Sequence, residues 1–107
     1  MMEIDCQAVK AKLDAGEDLL LLDCREQSEV ETVMIAGSTW IPVSEFEHRC
    51  GELDSHRQRQ IVVYCHLGGR SLQVAQWLCQ QGFAKVHSMA GGIDRWAEAV
   101  DPSLARY

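Results

Sequence analysis

The strongest pattern along the chain is two short runs in which apolar residues are almost unbroken, Leu19–Asp23 and residues 61–64. Such runs are typical of strands that are covered on both faces, because a strand with one wet face would alternate apolar and polar residues. Residues 39–41 and 85–88 give weaker signals of the same kind. These four segments are therefore the candidate strands of a central sheet.

Between these runs, apolar residues recur at helical spacing, and three of the segments are followed by a glycine that can end a helix. In one of them Leu72, Ala75, Leu78 and Cys79 fall on a single helical face, which predicts packing against a sheet and places Cys79 in the core. The predicted helices span residues 6–13, 26–33, 44–50, 71–81 and 92–100.

Alternation of strands and helices predicts an α/β domain with a mostly parallel sheet and right-handed crossovers. The length of 107 residues suits one core, so we expect a single domain over residues 1–107. In open sheets of this kind, ligands bind beyond the carboxyl ends of the strands. The loop that follows Tyr64 is therefore the predicted site.

The composition narrows the classes of partner. A net charge of −6 without clustered Lys and Arg argues against nucleic acid. The apolar runs are too short to span a bilayer, and Glu3 and Asp5 stand where a signal peptide needs basic residues, so we expect no membrane partner and a cytoplasmic location. Five cysteines without a C-x2-C pair favour reduced thiols over a zinc site or a dithiol redox motif.

The loop after the second apolar run, residues 65–71, reads Cys-His-Leu-Gly-Gly-Arg-Ser. Cys65 stands at the end of a buried strand and before a helix N-terminus, where unpaired backbone amides favour a thiolate over a thiol. Gly68 and Gly69 permit positive φ angles, so that successive amides can turn toward one anionic atom. Together these features predict a nucleophilic cysteine in an anion-binding loop.

The remaining polar residues of the loop have separate roles. Arg70 can hold the anionic end of a substrate, and Ser71 is expected to cap the helix. His66 is expected at most to add to the positive electrostatic field around Cys65, and a general-base role is not expected for it. A glycine-containing turn also occurs without chemistry, so the residues alone leave a structural turn open. The catalytic interpretation requires amides that point at the Cys65 sulfur and a thiol that is not sealed in the core.

This loop resembles the active-site loop of the rhodanese family, and the likeness extends along nearly the whole chain. Residues 21–26 are similar to the family's strand-end Asp-x-Arg-Glu signature. Residues 33–38 depart from it: they read Val-Met-Ile-Ala-Gly-Ser where the family usually has Gly-His-Ile-Pro-Gly-Ala, which predicts altered loop packing there. The other matching positions are Ile41, Pro42, Glu45, Phe46, Leu78, Gly82, Phe83, Val86, Gly91, Gly92 and Trp96.

The resemblance implies a rhodanese-like α/β fold, with a mostly parallel central sheet of about five strands and helices on both of its faces. It also implies a sulfurtransferase of the thiosulfate type, in which Cys65 carries sulfur as a persulfide and needs neither a metal nor another cofactor. The expected partners are a small anionic sulfur donor and, as acceptor, cyanide or a thiol, a thioredoxin-like protein being one candidate.

The resemblance assigns catalysis to Cys65 and support of the site to Asp23 and Arg25, through hydrogen bonds or a partly buried ion pair. The main alternative is a non-catalytic rhodanese-like binding or regulatory module. A Cys-based phosphatase or arsenate reductase is disfavoured, because such relatives have a loop one residue longer than the C-x4-R seen here. The substrate-binding residues implied are His66, Leu67, Gly68, Gly69, Arg70 and Ser71.

Overall fold

The structure, a computed structural model, describes residues 2–107 and contains one parallel sheet. The two apolar runs form its central strands, as predicted, and the order across the sheet is β1-β5-β4-β2-β3. All four pairings between neighbouring strands are parallel. The strands are β1 (Glu3–Ile4), β2 (Leu19–Asp23), β3 (Thr39–Trp40), β4 (Gln60–Tyr64) and β5 (Lys85–Met89).

Helices connect the strands and cover both faces of the sheet, which confirms the predicted fold class. None of the helices within residues 2–107 has the length and apolar character that a bilayer crossing requires. The helices are α1 (Cys6–Asp14), α2 (Gln27–Thr32), α3 (Phe46–Arg49), α4 (Gly69–Gln80) and α5 (Gly92–Ala99).

Two elements, β1 and α3, differ from the sequence prediction in kind rather than only in their bounds. The strand β1 was not predicted, because two residues that include Glu3 give no period to detect. The predicted helix 44–50 is instead the single α turn of α3 between two 3₁₀ segments, Val43–Glu45 and Cys50–His56. Within this segment only the side chains of Phe46 and Leu53 are buried. Two buried apolar side chains are too few to hold a longer amphipathic helix against the sheet.

The central strands send alternate side chains to opposite faces, so each strand contributes to two cores. Leu20 and Leu22 of β2 pack with α4 on one face, whereas Leu19 and Leu21 pack with α1 and α5 on the other. The fully covered strands explain why their sequence reads as unbroken apolar runs.

The buried face of α4 differs in part from the predicted face. Ser71 and Val74 are buried with Ala75 and Leu78, whereas Leu72 and Cys79 are only half-buried. Cys79 therefore packs against the edge of the core rather than inside it. The shift follows from the helix turning the Ser71 side toward the end of β4, where the site lies.

Candidate active site

The loop after β4 turns sharply and leads directly into α4. Gly68 has a φ of 111° and is the N-cap of the helix, so the helix begins at Gly69, two residues earlier than predicted. A Cβ at Gly68 would lie 3.3 Å from the backbone nitrogen of Gly91, whereas one at Gly69 would meet open space. Only Gly68 thus needs the conformational freedom that we expected of both glycines.

The early start of α4 corrects the predicted role of Ser71. This residue is the third of the helix rather than its cap, and its backbone N–H points at the Cys65 sulfur from 3.4 Å. The Ser71 hydroxyl oxygen lies 3.4 Å from the same sulfur and 2.7 Å from the hydroxyl of Ser88. The Gly68 N–H approaches the sulfur most closely, at 3.1 Å.

These donors give Cys65 the electrostatics of a thiolate. Hydrogen bonding from the Cys24 thiol, the Ser71 hydroxyl and the amides of Ser71 and Gly68 lowers the pKa of Cys65 to about 4, although burial of the sulfur acts in the opposite direction. A cysteine with a low pKa is ionised at neutral pH and can act as a nucleophile or as a leaving group.

Cys24 is a neighbour of Cys65 that the sequence analysis did not identify. The pairing of β2 with β4 ends at Asp23 opposite Tyr64, and the Cys24 N–H then donates to the Tyr64 carbonyl at 3.1 Å. The two cysteines that follow these strands are both buried in the same core cluster, where the Cys24 thiol donates to the Tyr64 carbonyl at 3.4 Å and lies next to Cys65. This contact and burial raise the pKa of Cys24 well above its usual range.

The N-terminus of α5 holds the backbone of the loop in place through hydrogen bonds. Its amides at Ile93 and Asp94 donate to the carbonyls of Cys65 and His66, at 2.9 and 3.1 Å. Gly92 has a φ of 62°, and a Cβ there would lie 2.3 Å from the His66 carbonyl oxygen. In the sequence, Gly91 and Gly92 match the family pattern. The structure explains the second glycine, because a side chain at Gly92 would collide with the loop backbone.

Asp23 and Arg25 form a fully buried ion pair beside the end of β4. An Arg25 nitrogen lies 2.6 Å from an Asp23 carboxylate oxygen, and the same guanidinium donates to the Val33 carbonyl at 2.6 Å. It also donates to the hydroxyl of Tyr107 at 3.0 Å. The pair therefore ties β2 to the segment that departs from the family pattern and to the C-terminal tyrosine.

Arg70 lies at the site, but its guanidinium is engaged by an acidic residue that sequence reasoning missed. Its two terminal nitrogens donate to the two carboxylate oxygens of Glu29, at 2.6 and 2.9 Å. The Tyr107 hydroxyl donates to the same carboxylate at 2.8 Å. Hydrogen bonding from Arg70, followed by that from Tyr107, holds the pKa of Glu29 at about 2 against the effect of burial. No signal in the sequence pairs residues 41 positions apart.

The sulfur of Cys65 lies beneath the loop rather than on the surface. Cys65 is 1% exposed, whereas Leu67 at the tip of the loop is 64% exposed. The His66 ring stacks on the Tyr107 ring with their centroids 3.9 Å apart. The amides point at the sulfur as the catalytic interpretation requires, but its second requirement, a thiol that is not sealed in the core, is not met in this structure. A substrate can therefore reach the sulfur only after the residues around it rearrange.

Comparisons of this chain with known proteins agree on the family that it matches. The family model described as Rhodanese-like domain matches residues 5–99. A protein named sulfurtransferase from Allochromatium vinosum is 35% identical over 103 residues, which cover 96% of this chain and 94% of that protein. The adenylyltransferase and sulfurtransferase MOCS3-2 of Zea mays is 32% identical over 109 residues, but these are 97% of this chain and only 23% of the relative.

Solved structures agree with the sequence relatives. The crystal structure of thiosulfate sulfurtransferase from Pseudomonas aeruginosa superposes with a TM-score of 0.84 at 27% identity, over 99% of this chain and 20% of that one. The chain therefore corresponds to almost the whole of one relative and to about a fifth to a quarter of two larger proteins.

Proposed function

Since the chain belongs to the rhodanese family, we propose that it is a sulfurtransferase that carries sulfane sulfur as a persulfide on Cys65. The coarser part of this proposal, sulfurtransferase activity, is supported by the matching family model and by the relative from Allochromatium vinosum. The persulfide is supported by one observation above all: two backbone amides and the Ser71 hydroxyl converge on the Cys65 sulfur.

The reaction proceeds in two displacements. The Cys65 thiolate attacks the outer sulfur of a donor such as thiosulfate, the S–S bond of the donor breaks, and sulfite leaves with the electron pair. An acceptor, cyanide or a thiol, then attacks the outer sulfur of the persulfide, and the Cys65 thiolate leaves. The amides of Gly68 and Ser71 are fixed before the reaction begins, and they stabilise the Cys65 thiolate that starts the first step and leaves in the second.

Arg70 has to exchange partners in order to hold the sulfonate end of thiosulfate. Both terminal nitrogens of its guanidinium already donate to Glu29, and a sulfonate that binds there competes with that carboxylate. We therefore expect the native protein to bind anionic donors weakly. The variant Glu29→Gln should lower the KM for thiosulfate, because the amide is uncharged and binds the guanidinium less strongly.

The decisive experiment is mass spectrometry of the intact protein after incubation with thiosulfate. We expect a gain of one sulfur that maps to Cys65 and that is lost on addition of cyanide, with thiocyanate as product. Cys65→Ser should show neither, and Cys50→Ser, which alters a half-buried thiol outside the loop, should behave as the native protein.

Steady-state transfer with several donors, compared between the native protein and Arg70→Ala, separates donor binding from chemistry. A rise in KM for thiosulfate with a similar kcat supports the role given to Arg70. If Cys65 stays unmodified with thiosulfate and with a persulfide donor, the result supports the non-catalytic binding module instead. Turnover of an aryl phosphate or arsenate would support the phosphatase or reductase alternative.

A further inference from the structure

We propose that Cys24 is a resolving thiol, which displaces the sulfane sulfur from Cys65 as hydrosulfide and leaves a Cys24–Cys65 disulfide. The inference rests on the proposed function, since it begins from the Cys65 persulfide. It gives the protein a second outcome: with no acceptor present, the bound sulfur is released in reduced form and the carrier becomes oxidised.

The positions of the two cysteines follow from the strand register. Asp23 lies opposite Tyr64 in the parallel pairing, and Cys24 and Cys65 are the next residues along the two neighbouring strands. Neighbouring strands run about 4.8 Å apart, and a disulfide needs Cα atoms about 4.4–6.8 Å apart. Both side chains belong to the core cluster on one face of the sheet, so they point to the same side.

The hydrogen bonds around Cys24 keep its sulfur beside Cys65. The Cys24 N–H and its thiol both approach the Tyr64 carbonyl, at 3.1 and 3.4 Å. Both cysteines are free thiols and both are almost wholly buried, Cys24 at 0% and Cys65 at 1% exposure. A dissolved acceptor reaches this space only after the loop opens, whereas Cys24 is already inside it.

The step balances without an external oxidant. The Cys24 sulfur attacks the inner sulfur of the persulfide, which is Cys65 Sγ, and a new S–S bond joins the two side chains. The bond from Cys65 Sγ to the outer sulfur breaks, and the electron pair leaves with that outer sulfur. The proton of the Cys24 thiol passes to the departing atom, which becomes hydrosulfide. The sulfane sulfur is reduced and the two cysteines are oxidised, so a dithiol reductant is then needed to restore them.

The proximity of Cys24 compensates for its weak acidity. Its thiol keeps its proton while Cys65 is a free thiolate, because the neighbouring Cys65 sulfur and burial hold the pKa of Cys24 well above its usual range. In the persulfide, the negative charge resides on the outer sulfur, which is then the base available to accept the proton. Attack and proton transfer thus both occur between the Cys24 thiol and the two sulfurs of the Cys65 persulfide, whose relative positions the fold already fixes.

The test follows loaded protein over time in the absence of oxygen. Reduced protein, freed of reductant, is loaded with thiosulfate or glutathione persulfide, separated from excess donor, and sampled for hydrosulfide and for intact mass. For the native protein we expect the persulfide to decay into a species lacking two hydrogens, with release of one equivalent of hydrosulfide. Peptide mapping should identify the Cys24–Cys65 link, which dithiothreitol should remove.

The variants Cys24→Ser and Cys24→Ala should keep the persulfide at least tenfold longer and release no hydrosulfide without an acceptor. Two substitutions are needed because each perturbs the buried position differently. Cys50→Ser, a matched change of a half-buried thiol outside the site, should decay as the native protein does.

Equal persulfide lifetimes in the native protein and both Cys24 variants would overturn the inference and leave the proposed function standing. Loss of sulfur through a bond between two protein molecules, rather than within one, would also overturn it. Failure of the native protein to form any persulfide with either donor would overturn both proposals at once, so the two failures are distinguishable.

Discussion

The contact between the Ser71 hydroxyl and the Cys65 sulfur offers a direct measure of how the loop stabilises a thiolate. We consider Ser71→Ala, which removes the hydroxyl 3.4 Å from the sulfur and keeps the helix and its amide. The matched control is Ser88→Ala, because the Ser88 hydroxyl bonds to that of Ser71 rather than to the sulfur. Both hydroxyls are buried, so the two changes have comparable costs for folding.

The expected magnitude follows from the charge on the acceptor. A hydrogen bond to a charged group contributes about 1.5–3 kcal/mol, which corresponds to roughly one to two pKa units. The midpoint for ionisation of Cys65 should therefore move from about 4 in the native protein to about 5–6 in Ser71→Ala. It should stay near the native value in Ser88→Ala.

The assay has to record the shape of the pH profile rather than a single rate. At pH 6 the low pKa of Cys65 increases the thiolate fraction about 300-fold over an ordinary thiol. Intrinsic nucleophilicity falls with pKa, by roughly 100-fold over the same shift, so the absolute rates nearly cancel. Alkylation of Cys65 by iodoacetamide, mapped by mass spectrometry, should be flat from about pH 6 to 9, whereas an ordinary thiol gains about tenfold per unit below its pKa.

Two results would refute this reasoning. A native profile that still rises through pH 8 would mean that the loop amides and hydroxyl do not stabilise the thiolate. Equal midpoints in Ser71→Ala and Ser88→Ala would mean that the hydroxyl contact contributes nothing, and that stabilisation comes from Cys24 and the amides alone.

Three further predictions concern residues that support the site without contacting the Cys65 sulfur. Arg25→Met leaves the Asp23 carboxylate buried without its partner, so urea unfolding should show a loss of about 3–5 kcal/mol. Gly92→Ala should disrupt the loop, because its Cβ would overlap the His66 carbonyl at a φ of 62°, and crystallography or NMR of the variant should show the loop displaced. Glu29 has a lowered pKa in the fold, so its stabilisation is present above about pH 4.5 and is lost as the pH falls toward 2; Glu29→Gln should flatten the measured stability over that interval.

The sequence allowed the central strands and the position of the site to be predicted because both depend on local patterns. Strands covered on both faces need continuous apolar residues, and β2 and β4 agree with their predicted bounds to within one residue. The predicted site loop lies at the carboxyl end of β4 because parallel strands end at the same edge. In contrast, the N-cap of α4 depends on the turn at Gly68, which residue type alone did not separate from a start at Ser71.

The contacts that surround the sulfur could not be predicted, because they join residues far apart in the chain. Cys24 reads as an ordinary small apolar residue after a strand, and only the register of β2 against β4 brings it to Cys65. The pairing of Glu29 with Arg70 and Tyr107 likewise depends on how α2 and Tyr107 pack beside the loop. Spacing along the sequence carries no information about such a register.

Most of the stabilisation of the Cys65 thiolate comes from uncharged donors, and this suits a sulfur carrier better than a neighbouring cation would. The charge of Arg70 is largely offset by Glu29, so the thiolate depends on the hydroxyl and amides around its sulfur and on the neighbouring Cys24. Those donors lower the pKa, which leaves the rate of the first displacement nearly unchanged, because more thiolate offsets its lower intrinsic nucleophilicity, but makes Cys65 a better leaving group in the second. A carrier has to release its sulfur as readily as it takes it, and the fixed donors serve the release step most.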